Sequence, residues 1–540
     1  MGKQVHVGKY IRKYIQISLI KNPVRARNTF QMQDFDRYKK SDVLKSARFL
    51  LFGRVLSASL GLLLILLLVR ELSLAEYGAY TVFNALIEVI AVISGFGIAH
   101  AFLRYVPELY SIKKDGELRG VLLLLGVFRI TTLVAFALVA LYYAGEFTEK
   151  FTFGAFEEEF RIYILVIVLR VIQQMVFQIL ETLLAQGIAQ LGYFLGALIK
   201  ILCFLYFLKS GEVGLLDVIV ADIIGDTISM IVMIGGLAFV LYPKNRNKKM
   251  EFYWFFSNIK RMLYFMLTAY LQNVLVLMYG SSSNRLVFSH YSNGESVASL
   301  GLSQAIVDIF RRYLPVQFLF GVIRTYSIAC YVKDRDMSNV VNTSNILLKI
   351  NSIVLLILAI WISSIGESIV YSLTEGKYGS DAINLLLLFL LVLLFETKRI
   401  LVEMAAQILE RYKIFVYTNV ALSLSILLAI PFINKYGAMS VVVANVVGLV
   451  ISNYFSMKMV SNYGTKYRCD WSGSSKLVLV TFLVLTTIEL VKGNMIIDII
   501  VAAVCSISSL LVLWRMKYFD NAQLATLKAI IRFKGQSVNN

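Results

Sequence analysis

Runs of about twenty apolar residues, each long enough as a helix to cross ~30 Å of hydrocarbon, recur along the chain from Arg48 to Trp514. Polar residues gather in short stretches between them. The pattern predicts spans near 48–69, 78–101, 120–142, 161–185, 190–208, 215–241, 263–288, 297–323, 346–370, 382–407, 414–432, 438–459, 475–491 and 495–514. The runs are apolar throughout and do not alternate, which excludes an outer-membrane barrel. The expected fold is an all-α polytopic membrane protein with about 14 transmembrane helices.

Composition agrees. Of 540 residues 58% are hydrophobic and 16% charged, with a mean hydropathy of +0.72, which excludes a water-soluble enzyme and a disordered chain. Lys plus Arg number 53 and Asp plus Glu 34, a net charge of +19. With the N-terminus inside, most of the basic residues fall on the cytoplasmic side of the predicted spans. The excess is therefore a topology signal, not a nucleic-acid footprint, and it places both termini in the cytoplasm. Residues 1–47 form a basic arm in which Val7, Tyr10, Ile11, Tyr14 and Ile15 share a helical face against Lys9, Arg12 and Lys13. It reads either as an interfacial helix on anionic lipid or as a tail that helps set orientation.

A repeat divides the chain. Val218-Ile-Val-Ala-Asp-Ile-Ile-Gly225 matches Val441-Val-Val-Ala-Asn-Val-Val-Gly448; from 218 to 441 is 223 residues. At the same offset Ala75 and Gly78 match Ala298 and Gly301. Six spans separate the copies, so both halves enter the membrane from one side, as in parallel transporter repeats with a site between the halves. The expected domains are an N-lobe over 48–241, a basic linker over 242–262, a C-lobe over 263–459, two extra spans over 475–514 and a cytoplasmic tail over 515–540.

Ionisable groups at bilayer depth cost about 2.5–3.5 kcal/mol each on insertion scales and so face an interior or a wet cavity. In the eighth span Gln304, Asp308 and Arg311 share a face, Arg312 adjoins them, and Pro315 is expected to bend the helix beyond. Asn84 and Glu88 occupy the equivalent second span; Arg170, Gln174, Gln178 and Glu181 stripe the fourth, and Glu396, Arg399, Glu403, Gln407 and Glu410 the tenth. Arg54, Arg129, Lys200, Lys349 and Lys398 add cations, and Arg285 ends the run Ser281-Ser-Ser-Asn-Arg in the seventh span. Two readings stand: structural pairs such as Asp308–Arg312 and Arg399–Glu403, or the lining of a polar, basic-leaning cavity between the lobes. Asp222 and Asp226, one turn apart, read as a proton or sodium site or as a span-end pair.

Catalysis has no support. His6, His100 and His290 are isolated, the cysteines (Cys203, Cys330, Cys469, Cys505) are scattered, and there is no phosphate-cradling loop, metal cluster or cofactor motif. No enzyme activity, cofactor or metal is expected.

Several motifs carry a family likeness. Val69-Arg-Glu-Leu-Ser-Leu-Ala-Glu-Tyr-Gly-Ala-Tyr80 resembles the turn after the first span of Wzx-type polysaccharide flippases, in the multidrug/oligosaccharidyl-lipid/polysaccharide (MOP) exporter superfamily. Gly95-Phe-Gly-Ile98 followed by Arg104-Tyr-Val, Leu184-Ala-Gln-Gly187, Ser283-Asn-Arg-Leu-Val287, Glu375-Gly-Lys-Tyr-Gly379 and Ile433-Asn-Lys-Tyr-Gly-Ala438 resemble its later landmarks in order. The resemblance implies two six-helix lobes plus two further helices, alternating access, and an undecaprenyl-pyrophosphate-linked oligosaccharide moved across a bacterial or archaeal cytoplasmic membrane for polysaccharide biosynthesis. It implies membrane lipids and polymerase or glycosyltransferase machinery as further partners. The alternatives are a multidrug exporter of that superfamily and a non-transporting scaffold for glycosyltransferases.

Overall fold

The computed structural model describes residues 40–111, 114–241, 249–317, 337–409, 413–462, 470–491 and 493–521, with single positions at 320, 327, 523 and 524. The expected N-terminal arm through residue 39, Cys330, Cys469 and Glu410 lie outside them. Among the described residues there is no strand. The N-terminal half runs α1 (Lys40–Glu71), α2 (Leu74–Ile93), α3 (Ile98–Ser111), α4 (Asp115–Tyr142), α5 (Ala144–Lys150), α6 (Glu157–Thr182), α7 (Gln186–Ser210) and α8 (Leu215–Leu241). The C-terminal half runs α9 (Tyr253–Tyr279), α10 (Ser281–Tyr291), α11 (Gly294–Tyr313), α12 (Ser338–Leu373), α13 (Ser380–Ile408), α14 (Lys413–Ser423), α15 (Ser425–Ala429), α16 (Ile433–Tyr436) and α17 (Ala438–Ser461). A final pair, α18 (Trp471–Val491) and α19 (Met495–Arg515), follows.

Eleven of these helical segments are long and apolar enough to cross a membrane, and the helices fall on the fourteen spans read from the sequence. This is a multi-pass membrane protein. The repeat is present in the backbone: α4, α6 and α8 begin at Asp115, Glu157 and Leu215, and α12, α13 and α17 begin 223 residues later, at Ser338, Ser380 and Ala438. Two pseudo-symmetric six-helix lobes result, with α18 and α19 packed on α12 of the C-lobe.

Among the described residues four expected spans are interrupted. The second breaks between α2 and α3 at Gly95-Phe96-Gly97, where Phe96 and Gly97 have φ of 45° and 76°. A side chain at 97 would strike the Met266 carbonyl, so the break needs glycine there. The seventh breaks at Gly280, between α9 and α10, and the eleventh at Leu424. The eighth, expected to bend at Pro315, breaks there: Leu314 is extended (ψ 135°), the conformation a proline imposes on its predecessor, and helix resumes at Pro315.

We call the end with the α1–α2 turn the outer end, after the orientation expected from the basic residues. There Ser73 caps α2: its hydroxyl accepts from Glu76 N–H, and the Glu76 carboxylate accepts from Ser73 N–H. Such a box contributes about 1 kcal/mol. α2 then lies against α10 and α11 of the other lobe so closely that a Cβ on Gly78 would collide with the Gly294 carbonyl. Arg70–Glu375 at 2.7 Å, Lys377 donating to the Leu72 carbonyl at 3.0 Å and Thr152 donating to the Ser292 carbonyl at 3.1 Å complete this outer seam. Toward the inner end α9 bridges the lobes. Its first half packs on α3, with Tyr105 edge-on to Trp254 and Phe265, while its last turns pack on α14.

Candidate functional site

The polar residues singled out in the spans sort into three groups. The first lies inside the N-lobe. Arg170 on α6 and Lys200 on α7 face Asp222 and Asp226 on α8: Arg170 reaches Asp222 at 2.6 Å and Asp226 at 2.8 Å, and Lys200 reaches them at 2.9 and 2.7 Å. Tyr80 donates to Asp222 at 3.0 Å, and Arg170 donates to Asn84 Oδ1 at 2.6 Å. Five residues that the sequence marked in four separate spans thus meet in one cluster. Their expected roles change, because every carboxylate oxygen already has a protein partner and the two cations balance the two anions. Asn84, Arg170 and Lys200 are committed to this lattice and do not stand free in a cavity. Asp222 and Asp226, 2% and 5% exposed, are closed from water and held by these partners.

The second group holds the interrupted helix and the helix pair in place. Arg129 on α4 donates to Ser94 Oγ at 3.0 Å and to the Ala91 carbonyl at 2.8 Å, at the end of α2. Lys349 on α12, also expected in the cavity, points the other way. Its ammonium pairs with Asp470 ahead of α18 and donates to the Tyr518 carbonyl at 2.6 Å and to Gln523 Oε1 at 2.8 Å beyond α19. Asp470 lies outside the spans. Burial alone would raise its carboxyl, but hydrogen bonds from Lys349 and the Gly473 N–H, with the charges of Lys349 and Lys476, hold it below the usual carboxylate range.

The third group lies in the C-lobe, with two hydrogen bonds that cross to the N-lobe. Arg311 on α11 pairs with Asp308 at 2.9 Å and with Glu396 on α13 at 3.1 Å. The partner of Asp308 is therefore Arg311, three residues on; Arg312, expected to pair with it, is exposed. Arg399 pairs with Glu403 at 2.8 Å as its spacing suggests, donates to Asn419 Oδ1 at 3.1 Å and lies over the Tyr279 ring at 5.2 Å. Arg285 on α10 crosses to the N-lobe, donating to the Thr81 carbonyl at 3.4 Å. Ser282, at the start of α10, donates to Glu88 on α2 at 2.5 Å. A cavity of about 180 Å³ opens beside Glu88, lined by α2, α3, α4 and α6 of the N-lobe with Asn273 from α9; Glu88, His100, Arg129, Gln174, Gln178 and Asn273 are the polar residues on its wall. Arg54 sits on α1 in a stretch whose side chains are outside the described part.

Of the charged residues singled out in the sequence, the cavity wall carries Glu88 and Arg129, one of each sign. Among the described residues, buried polar atoms without a hydrogen-bond partner include, on α10 and α11, Nε of Arg285 and Arg311, Oδ1 of Asn284, and both amide atoms of Gln304, a residue 2% exposed. Sequence reasoning missed His100 and Asn273, which approach across the lobes to 3.4 Å. Their only signal was position: His100 is a single polar residue in an apolar run, and Asn273 follows Gln272 in another. Among the described residues no cluster could hold a metal ion.

No family model and no curated protein sequence matches this chain. Solved structures do. The chain is similar to the lipid II flippase MurJ in an inward closed conformation, at a TM-score of 0.65 and 16% identity over 86% of this chain and 98% of that one. An inward-facing multidrug resistance MATE transporter of the MOP superfamily matches at 0.62 and 13% identity, over 75% and 95%. An outward-facing MATE transporter of the same superfamily matches at 0.54 and 14% identity, over 78% and 96%. The chain has the fold of the MOP-superfamily transporters. The likeness spans nearly the whole of each of those proteins.

Proposed function

We propose that this protein is a transporter that moves a lipid-linked oligosaccharide, of the undecaprenyl-pyrophosphate type, across a bacterial or archaeal cytoplasmic membrane by alternating access of its two lobes, with both termini cytoplasmic. The observation that carries the reading is the unpartnered polar set between the lobes. Donors on Arg285, Arg311 and Gln304 and acceptors on Asn284 and Gln304 are buried without partners among the described residues, and a buried polar atom left so costs about 1–3 kcal/mol. A sugar supplies acceptors and donors together, and a pyrophosphate takes guanidinium donors. The greater share of the chain matched by the lipid II flippase than by the MATE transporters supports the same choice. The three acids Glu88, Asp308 and Glu396 favour the second reading, export of cationic drugs.

The test is polysaccharide export in a strain lacking its flippase, with membrane protein level measured in parallel. Arg311→Ala is expected to abolish export with protein retained, and Arg311→Lys to leave part of it, since Lys keeps the charge but not the planar fork. Wild-type export from both Arg311→Ala and Arg54→Ala would overturn the reading, and export of cationic dyes by the same cells would replace it with the second.

A further inference from the structure

The loop after α5 in the N-lobe and the loop after α12 in the C-lobe are copies of each other at the repeat offset. α5 ends at Lys150 and α12 at Leu373, 223 residues later. Both then turn through left-handed backbone, Thr152 at φ 65° and Glu375 and Gly376 at 53° and 79°. The same bond closes both turns: Phe153 N–H donates to the Thr148 carbonyl at 2.8 Å, and Gly376 N–H to the Tyr371 carbonyl at 2.9 Å. This is a Schellman helix end, built at 152 on a β-branched residue, a type that avoids positive φ.

Each loop reaches into the other lobe. From the C-lobe, the Lys377 ammonium donates to the carbonyls of Arg70 and Leu72 at the end of α1, and Glu375 pairs with Arg70 at 2.7 Å. From the N-lobe, Thr152 Oγ1 lies 3.1 Å from the Ser292 carbonyl and 3.3 Å from the Ser289 carbonyl at the end of α10. His290 Nδ1 meets the Lys150 carbonyl at 2.8 Å beside them. Each loop also seats a buried ring against the next helix of the other lobe. Tyr378 stands edge-on to Tyr77 on α2, and Phe153 packs beside Gly294 at the start of α11. The last carbonyls of a helix have no partner within it, so each lobe supplies a cap that the other lacks.

We propose that these loops are reciprocal latches that hold the outer end shut, each capping the final carbonyls of the first span of the opposite half, and that the C-lobe latch is the stronger. α1 is the first span, and α10 completes the seventh. Parting the lobes at the outer end strips both caps together, so the seam opens as a unit. The inequality follows from the donors. The Lys377 ammonium brings a charge and three protons to the negative end of a helix dipole. Thr152 has a single hydroxyl proton, and the Phe151 carbonyl also stands 2.7 Å from that oxygen. A charge-assisted bond is roughly twice as strong as a neutral one. Arg70 and Glu375, 53% and 56% exposed, add little to the difference.

The inference rests on the lobes parting at the outer end, as the alternating access proposed above requires, and not on what is carried. The test reads that parting directly. Thr81 on α2 is 4% exposed and lies behind the seam, against Gly301 of α11. The full chain is given Thr81→Cys, with Cys203, Cys330, Cys469 and Cys505 replaced by Ser, and a membrane-impermeant thiol reagent is added outside intact cells. Labelling of this parent is expected to be slow. Lys377→Ala is expected to raise the rate about ten-fold and Thr152→Ala about three-fold. Lys377→Arg keeps the charge and the donors and is expected to stay within about two-fold of the parent. Tyr378→Ala is expected to speed labelling and Tyr378→Phe to leave it unchanged, which keeps the proposal testable should Lys377→Ala fail to reach the membrane. A parent rate in Lys377→Ala overturns the proposal, as does a rate in Lys377→Arg or Thr152→Ala that equals or exceeds it. If the cargo proves to be cationic drugs while the rates keep this order, the substrate reading falls and this one stands.

Discussion

Arg129 lies 3.0 Å from Ser94 Oγ and 2.8 Å from the Ala91 carbonyl, so a side chain from α4 closes the end of α2 inside the membrane. A helix ending there leaves carbonyls that no lipid can satisfy, and it presents the negative end of its dipole. A guanidinium answers both needs. Arg129→Ala is expected to cost about 2–4 kcal/mol of stability, and Arg129→Lys less, because one of the two bonds survives. The check is the melting temperature of the detergent-solubilised protein; an Ala variant that melts with the native chain would reassign Arg129 to the cavity.

The N-lobe lattice makes a charge-balance prediction. Lys200→Met strands a carboxylate among buried groups, a loss of about 3–5 kcal/mol, and Asp226→Asn leaves a surplus cation at a comparable cost. The double variant restores neutrality and is expected to be more stable than either single one. Melting of all three proteins decides it. Were Asp226→Asn to melt like the native chain yet lose its response to an ion gradient, the aspartates would be a coupling site after all.

The Lys349–Asp470 pair predicts a pH dependence with a definite sign. The folded carboxyl is held below its unfolded value near ~3.9, so its contribution is complete above that pH and falls away only on acidification through the lower folded value. At neutral pH the pair is therefore fully formed. Asp470→Asn is expected to lower the melting temperature at pH 7 and to flatten the acid-side loss below about pH 4. Equal acid sensitivity in the variant and the native protein would remove Asp470 from that loss.

Topology is checked by labelling. A membrane-impermeant thiol reagent added outside is expected to reach Glu158→Cys and Glu295→Cys, both exposed at the outer end, and not Lys248→Cys or the native Cys469. Outside labelling at Lys248→Cys would reverse the assignment of sides.

Much of this fold is written in single-residue patterns. Apolar run lengths located the fourteen spans, and the likeness of Val218–Gly225 to Val441–Gly448 located a repeat that reappears as matched helix starts. Pro315 announced the end of α11 because proline constrains the residue before it. The breaks at Gly97 and Gly280 were harder to see, since hydropathy runs through them without change; at Gly97 what decides it is backbone contact with Met266 on α9. The site was legible as a set of residues but not as a set of partners. Helical spacing identified Arg399 with Glu403, which share one helix. It was silent on Arg170 with Asp226, 56 residues apart, and on Lys349, whose partners lie beyond three further spans (Asp470) and beyond five (Tyr518 and Gln523). Charge along a sequence cannot say which way a lysine on a buried helix points.

Gly78 and Gly294 meet with no side chain between them, and that bareness has a mechanical consequence. Two helices touching backbone to backbone near one membrane face form a narrow line of support, the shape of a fulcrum. Rotating one lobe by about ten degrees about such a line separates the far ends of the helices by roughly 5 Å across a ~30 Å hydrocarbon core. Leverage of that kind asks little of the fulcrum itself, whose atoms barely slide. A bulkier residue at 78 would move the fulcrum outward and wedge it, shortening the stroke at the opposite face before it disturbed the fold of either lobe.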